Sequence, residues 1–351
     1  MKHSCPEVFQ TRFRPLCPFP GCVSLFTGPK KSPIVRFGSF RRSSDSRRVQ
    51  RFRCLSCRRS FSRATLHPWF RQKKRRLNHK LLLLQASSVT HRRASLLLGC
   101  SRSTVARKLR SLAQESARHE ESRVSKCCRP LAQIQFDELE TFEHTKMKPL
   151  SVAIAVDAIT RKILGIQVAR MPAKGLLSER ARRKYGPRPD ERQAALRRLL
   201  VEIEPWVGES TDFKTELKSD SHPYYAPLVK AKYPNHLHSQ VLSRKGCVTG
   251  QGELKRGGQD PIFSLNHTCA MLRANLSRLV RRTWATTKKP EGLRHHLALY
   301  RRVHNEVLTE RGGSFNRLRG QLAQATERRL FPNKRRSSAA RSQPPRSAAA
   351  R

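Results

Sequence analysis

Two short stretches carry acids where strands would bring them together. In Leu131–Phe142 (LAQIQFDELETF) the apolar residues Ile134, Phe136 and Leu139 alternate imperfectly with polar ones, and Pro130 stands just before. That reads as a strand entering a sheet, with Asp137 at a position the sheet would bury. Carboxylates are rarely buried without a partner or a metal. Thr215–His222 (TELKSDSH) repeats the arrangement and puts Asp220 near a strand end. Two aspartates on neighbouring strands make half of a divalent-metal site.

A second chemistry lies near the start. Cys17-Pro-Phe-Pro-Gly-Cys22 and Cys54-Leu-Ser-Cys57 are two close cysteine pairs with 31 basic, strand-like residues between them. This is the spacing of a zinc ribbon: each pair caps a tight knuckle, and four thiolates complete a closed structural site with no position left for water. Gly21 and the flanking prolines suit the first knuckle, and Arg51-Phe52-Arg53 reads as the strand entering the second. The alternative is four unligated thiols. Cys5, Cys127 and Cys128 have no place in this scheme.

The partners follow from charge. The 351 residues include 73 Lys+Arg against 25 Asp+Glu, a formal charge of +48, with a pI near 11.4. Such a chain attracts polyanions, nucleic acid ahead of an anionic membrane surface. No apolar run approaches the roughly 20 residues that span a bilayer, and Leu81–Leu84 is far too short. The N-terminus MKHSCPEVF lacks a hydrophobic signal region, so an intracellular, reducing location is expected, where cysteines serve as metal ligands or buried thiols.

The elements that must position these residues come next. Leu77–Ala86 reads as an apolar-rich helix, Ser88-Val89-Thr90 as a cap before a helix over His91–Leu98, and Gly99-Cys100-Ser101 as a turn before a helix over Arg102–Ala113. Two short helices joined by a Gly-containing turn make a helix-turn-helix pattern, with Arg102, Ser103, Thr104 and Arg107 near the start of the recognition helix; the alternative is an ordinary helical hairpin. Residues 114–130 are polar and read as a connection. Leu150–Val156 and Lys162–Ala169 are strands joined by a turn at Asp157, and with the Asp137 strand they suggest an antiparallel meander. Asp157 is a candidate third ligand or a turn residue. Met171–Pro189 reads as irregular, Glu191–Trp206 and Pro223–Lys232 as helices, and His236–Leu242 as a strand. Cys247–Gln259 is Gly-rich. Pro261–Trp284 reads as one long helix with Asp260 near its N-cap, on which Asn266, Cys269 or Ala270, and Arg273 share a face. Leu293–His304 is a further helix, and residues 311–351 form a basic disordered tail.

The order β-β-β-α-β-α-β, with acids on the first and fourth strands, is that of a ribonuclease H-like fold. The expected architecture is therefore multidomain α+β: a zinc ribbon over 1–65, a helix-turn-helix region over 77–118, and over 130–305 a ribonuclease H-like mixed sheet flanked by helices. Taken in order, the cysteine pairs, the helix-turn-helix, the FDEL and SDSH strands and the helix IFSLNHTCAMLRANLSRLVRRTW resemble a bacterial insertion-sequence transposase of the DDE type, of the group with an N-terminal zinc ribbon and asparagine in place of the final acid. The resemblance covers Cys17 to about Asn305. It implies that Asp137 and Asp220 are the catalytic aspartates, that Asn266 stands where most relatives have glutamate, and that Arg273 is the basic residue that follows.

The implied chemistry is DNA cleavage and strand transfer with two magnesium ions about 4 Å apart. Asp137 would bridge them, Asp220 would ligate one, Asn266 would offer a neutral amide oxygen, and Arg273 would hold a DNA phosphate. Structural zinc would sit on Cys17, Cys22, Cys54 and Cys57. Implied partners are element-end and target DNA and a second copy of the chain on that DNA. Glu253 and Asp260 could supply a carboxylate instead of Asn266, and Glu138 and Glu140 flank Asp137 without facing as it does in a regular strand. His222 and His267 are substrate contacts or surface residues. Two rivals remain, a non-catalytic DNA-binding regulator and an RNA-binding zinc-ribbon protein. Neither needs acids placed on separate strands.

Overall fold

The computed structural model describes residues 15–25, 33–43, 46, 48–62, 64–65, 67–127, 129–208, 214–242, 254–255, 258–280 and 284–308. The chain forms two compact units that divide between Lys80 and Leu81. The first holds an antiparallel sheet in the order β1 (Ile34–Arg41), β2 (Arg48–Cys54), β3 (Ser60–Ser62). Its small core is aromatic, with Phe52 and Phe61 buried and their rings 5.7 Å apart. Strand β1 is mostly exposed, and the guanidiniums of Arg51 and Arg53 cover its Phe37 at 5.2 and 5.3 Å.

The boundary falls inside α1 (Asn78–Gln85). In the second unit, α2 (His91–Leu97) begins at Thr90, whose side chain accepts the Arg93 N–H, and α3 (Arg102–Cys127) begins at Ser101, whose hydroxyl accepts the Thr104 N–H at 3.2 Å. These caps satisfy N–H groups that the first helical turn leaves unpaired. Helix α3 is far longer than expected and absorbs most of the expected connection over 114–130. Its polar run keeps a buried stripe at helical spacing, with Leu112, Ala113, Ser116 and Glu120 all buried, and that stripe packs along α8 (Pro290–Val303). The helix-turn-helix region is consequently not a unit of its own: Leu81, Ala94, Val105 and Leu109 share one core with Val152, Ile154, Leu293 and Tyr300.

The five-stranded sheet has the order β6 (Ile163–Arg170), β5 (Pro149–Asp157), β4 (Gln133–Phe142), β7 (Glu216–Asp220), β8 (His238–Val241). Strand β5 is antiparallel to both neighbours, while β4, β7 and β8 are mutually parallel. The fold is thus α+β with a mixed sheet flanked by helices. One face is covered by α5 (Arg192–Ile203) and α6 (Tyr225–Lys232), the other by α7 (Phe263–Asn275) and α8. Strand β5 is buried on both sides, and its alternation sorts the faces: Val152, Ile154 and Val156 meet α7 and α8, while Ala153 and Ala155 meet α5. The small residues let α5 approach closely. At Gly165 on β6 an added Cβ would lie 2.6 Å from Leu199 Cδ1.

Two expectations fail locally. Residues 177–185, inside the stretch read as irregular, form α4 (Leu177–Tyr185), a charge-dense helix with Ala181 buried. The helix expected over 261–284 ends at Asn275, where the side-chain amide bonds to the Met271 carbonyl at 2.9 Å and the backbone carbonyl is taken by Ser88 N–H at 2.6 Å. Leu276 then turns to extended backbone. Short paired segments β9 (Leu254–Lys255) and β10 (Gly258–Gln259) precede α7. Glu253, Cys5, Cys128 and the tail over 311–351 lie outside the described residues.

Candidate active site and cysteine cluster

The parallel pairing of β4 with β7 sets the acids side by side. Phe136 pairs with Ser219, so Asp137 and Asp220 are each one step past the last paired position, at the same end of neighbouring strands. Both are half-buried. Burial first, and then the negative charge of Asp220, push the Asp137 carboxyl up from 3.8 to about 6. The opposing influences are hydrogen bonds, from the Glu138 backbone N–H and from the Tyr225 hydroxyl at 3.0 Å. Tyr225 is buried on α6, and burial followed by the Asp137 charge push its phenol far up, so it stays a donor. Tyr224 donates likewise to Glu138. Asp220 Oδ1 accepts the His222 backbone N–H at 3.0 Å, and the His222 ring lies 4.1 Å from that of Tyr224 and 5.3 Å from that of Tyr225.

Helix α7 is pinned over this end of the sheet by Gln135, a buried residue two positions before Asp137 and on the same face of β4. Its side-chain oxygen accepts the Leu265 N–H at 3.1 Å and its amide donates to the Pro261 carbonyl at 3.4 Å. One turn further along, burial and then the Asp137 charge push the Cys269 thiol up to about 12, with Arg273 opposing. The α7 face that carries Cys269 lies within reach of the Asp137 charge. Asn266, three residues before Cys269, shares that face. Its amide donates to Asp260 Oδ2 at 2.7 Å, which leaves Oδ1 as the oxygen that could serve as a ligand. Asp260 itself is buried and accepts the Ile262 N–H at 3.2 Å, while its backbone carbonyl accepts the Phe263 N–H at 3.1 Å, so it anchors the entry to α7. Arg273 borders a recess of ≈ 350 Å³ shared with Glu140, Lys146 and Lys174.

The other acids have local duties. Asp157 closes its own turn, accepting the Ile159 N–H at 3.0 Å and the Thr160 N–H at 3.3 Å. Glu140 is exposed and pairs with Lys174 at 2.6 Å. Among the described residues the four cysteines are the one group of three or more His, Cys, Asp or Glu close enough to share an ion, so Asp137 and Asp220 stand as two carboxylates without a third such group beside them. Tyr224, Tyr225 and Gln135 had no role assigned from sequence. The Tyr pair stands four and five residues after Asp220, on the helix entered from its strand, and that spacing is the signal that could have found it.

In the first unit the four cysteines converge. Cys17 and Cys57 sulfurs lie 3.7 Å apart, as do those of Cys22 and Cys54, and all four lie within 4.8 Å of one another. A tetrahedron with Zn–S arms of about 2.3 Å has edges of about 3.8 Å. The cluster could thus hold a metal ion such as zinc. Burial pushes Cys17 up to about 12. At Cys54 burial also raises the thiol, but the Ser24 hydroxyl, the Cys57 N–H and other donors outweigh it and bring Cys54 down to about 6, ready to ligate as thiolate.

At the start of α3, Arg102, Ser103 and Arg107 are exposed and Thr104 is half-buried, its hydroxyl 2.9 Å from that of Ser101. Among the described residues no helix is long and apolar enough to cross a membrane. Comparison of the chain with models of known protein families found no match, and comparison with curated protein sequences found none.

Proposed function

We propose that the chain is a DNA transposase of the DDE type with asparagine third, working from a ribonuclease H-like domain. The observation that carries this reading is the pair of acids at one end of adjacent parallel strands, with Asp137 pushed up by burial and by Asp220. The sheet order, with one strand antiparallel to the other four and a helix laid over the acids, supports the fold assignment.

The donor set suits magnesium. Two carboxylates offer hard oxygens and an excess of negative charge that a divalent cation would relieve. Bound between them, magnesium would make an attacking oxygen more nucleophilic and stabilise the leaving oxygen. Asp137 and Asp220 would hold the metal charge and Asn266 Oδ1 would add a neutral oxygen, while the Tyr225 hydroxyl fixes the Asp137 carboxylate. Arg273 carries the charge that steadies a DNA phosphate. The cysteine-rich sheet and the α2–α3 turn supply element-end recognition, and the chain acts at least as a dimer on DNA.

The test is cleavage and strand transfer on DNA carrying the element's flanking ends, with magnesium, comparing wild type with Asp137→Ala, Asp220→Ala and Asn266→Ala. Activity in wild type and none in either aspartate variant supports the reading; unchanged activity in both sinks it. A second reading, a catalytically silent DNA-binding regulator, is favoured by the third position being a neutral amide already bonded to Asp260. Specific end binding without cleavage would select it.

A further inference from the structure

Away from the acids, the first turns of α3 and α8 face a cavity of ≈ 970 Å³. The segment after α7 forms another wall, and within it Arg278 is half-buried between buried Leu276 and Leu279. Burial lowers its guanidinium to about 10, and among the described residues no carboxylate or carbonyl pairs with it. A guanidinium stays charged at ordinary pH, so a half-buried one at the cavity wall with no counter-charge is partly desolvated and open to an anion.

The surroundings deepen the deficit. Arg102, Arg110, Lys288 and Lys289 line the same cavity against one carboxylate, Glu291. Burial, then the Arg278 charge, hold His91 at about 4 and His296 at about 3, so both rings are neutral. His296 Nε2 bonds to the Gln85 carbonyl at 2.6 Å, while His296 Nδ1 and His91 Nε2 are buried with no hydrogen-bond partner. The helix starts add partial positive charge. Trp284 lines the cavity too and is 99% exposed, a ring face open to stacking.

We infer that this cavity is a phosphate site, taking one phosphodiester of a nucleic-acid strand at Arg278 with the adjoining base against Trp284. The phosphate chemistry follows from Arg278, His91 Nε2, Lys288 and Lys289; only the choice of nucleic acid as its source rests on the function proposed above.

Two measurements on the full chain test it. The first is thermal unfolding in inorganic phosphate against chloride of equal ionic strength. Phosphate is expected to raise Tm by several degrees in wild type and not in Arg278→Gln, which in chloride should unfold no earlier than wild type because it loses an unpaired charge. An Arg278→Gln chain that is less stable in chloride, or that keeps the full phosphate response, overturns the site. Lys289→Gln, at the surface, should weaken the response partway. The second is binding of single-stranded DNA across a salt series: Arg278→Gln should flatten the slope of log K against log salt by about 0.7, the value for one lost phosphate contact, and Trp284→Ala should weaken binding about 5- to 100-fold. A phosphate response with no change in DNA binding overturns the strand as the source. The phosphate melt needs neither magnesium nor cleavage, so failure of the transposase reading and failure of this site are separable.

Discussion

Replacing Asp137 by Asn removes a charge while keeping the shape and the oxygen that Tyr225 donates to. In the metal-free protein the ionised Asp137 is a burden, because burial and Asp220 raise it from 3.8 to about 6. At 1.36 kcal/mol for each tenfold change, that difference corresponds to about 3 kcal/mol. Solvent reaching a half-buried carboxylate screens part of it, leaving about 1–3 kcal/mol. The sign follows from proton binding. Between about pH 4 and 6 the folded state binds more protons at this site than the unfolded chain, so the stability tied to it is full below 3.8 and is lost as pH rises through 6.

The Asn variant has no such loss. In magnesium-free buffer at pH 7.5 it should melt above wild type by about 2–12 °C, given roughly 2–4 °C per kcal/mol for a domain of this size. The gap should close as pH falls to about 4. Added magnesium should stabilise wild type, by about 1.4 kcal/mol at ten times its Kd, and not the variant. Thermal unfolding followed by circular dichroism from pH 4.5 to 8 reads all three. A variant that melts below wild type at pH 7.5, or a gap that persists undiminished at pH 4.5, would refute the reasoning.

Tyr225→Phe removes the hydroxyl that lowers Asp137; it should cost about 1–2 kcal/mol and move the Asp137 titration, followed by carboxyl NMR, further up. Asn266→Asp would set a second carboxylate where an amide now donates to buried Asp260; a loss of about 2–3 kcal/mol at pH 7.5 that shrinks on acidification is expected in thermal melts, and Asp260→Asn should rescue it. If the chain purifies with about one zinc, Cys54→Ser should release it and expose the amides of β2 to exchange while those of β4 and β5 keep their protection. Equal loss in both sheets would count against separate cores.

Strands were readable because their signals are local. Val152, Ile154 and Val156 sit in an unbroken apolar run, and a run of that length bounded by turn residues leaves few alternatives. The cysteine pairs were readable because ligand spacing is itself the constraint. What escaped depends on distant partners. Polar residues 114–127 look like a linker until α8 lies alongside them, and nothing local to Pro261–Trp284 shows that Ser88 will take the Asn275 carbonyl. The unit boundary at Lys80 and Leu81 escaped for the same reason, since Leu81 and Ala94 find their core on α8 and the sheet. Tyr225 reads as an ordinary apolar helix position; its duty appears only when α6 is folded back over β4.

The strongest physical argument for a cation between Asp137 and Asp220 is what the chain leaves undone there. Lys and Arg outnumber acids 73 to 25, and elsewhere they find them: Glu140 meets Lys174, Glu143 meets Arg188, Asp190 meets Arg192 and Glu202 meets Arg301. Asp137, Glu138 and Asp220 are instead served by two phenols and two backbone N–H groups, and among the described residues none of the three has an ion pair. Neutral donors fix the direction of a carboxylate without cancelling its charge, whereas an arginine would do both. An acid pair kept for structure alone would be cheaper with a guanidinium beside it, and this chain has many to spare. On the proposed reading Asn266 would follow the same logic from the other side, offering an oxygen with no further charge to repel the two carboxylates.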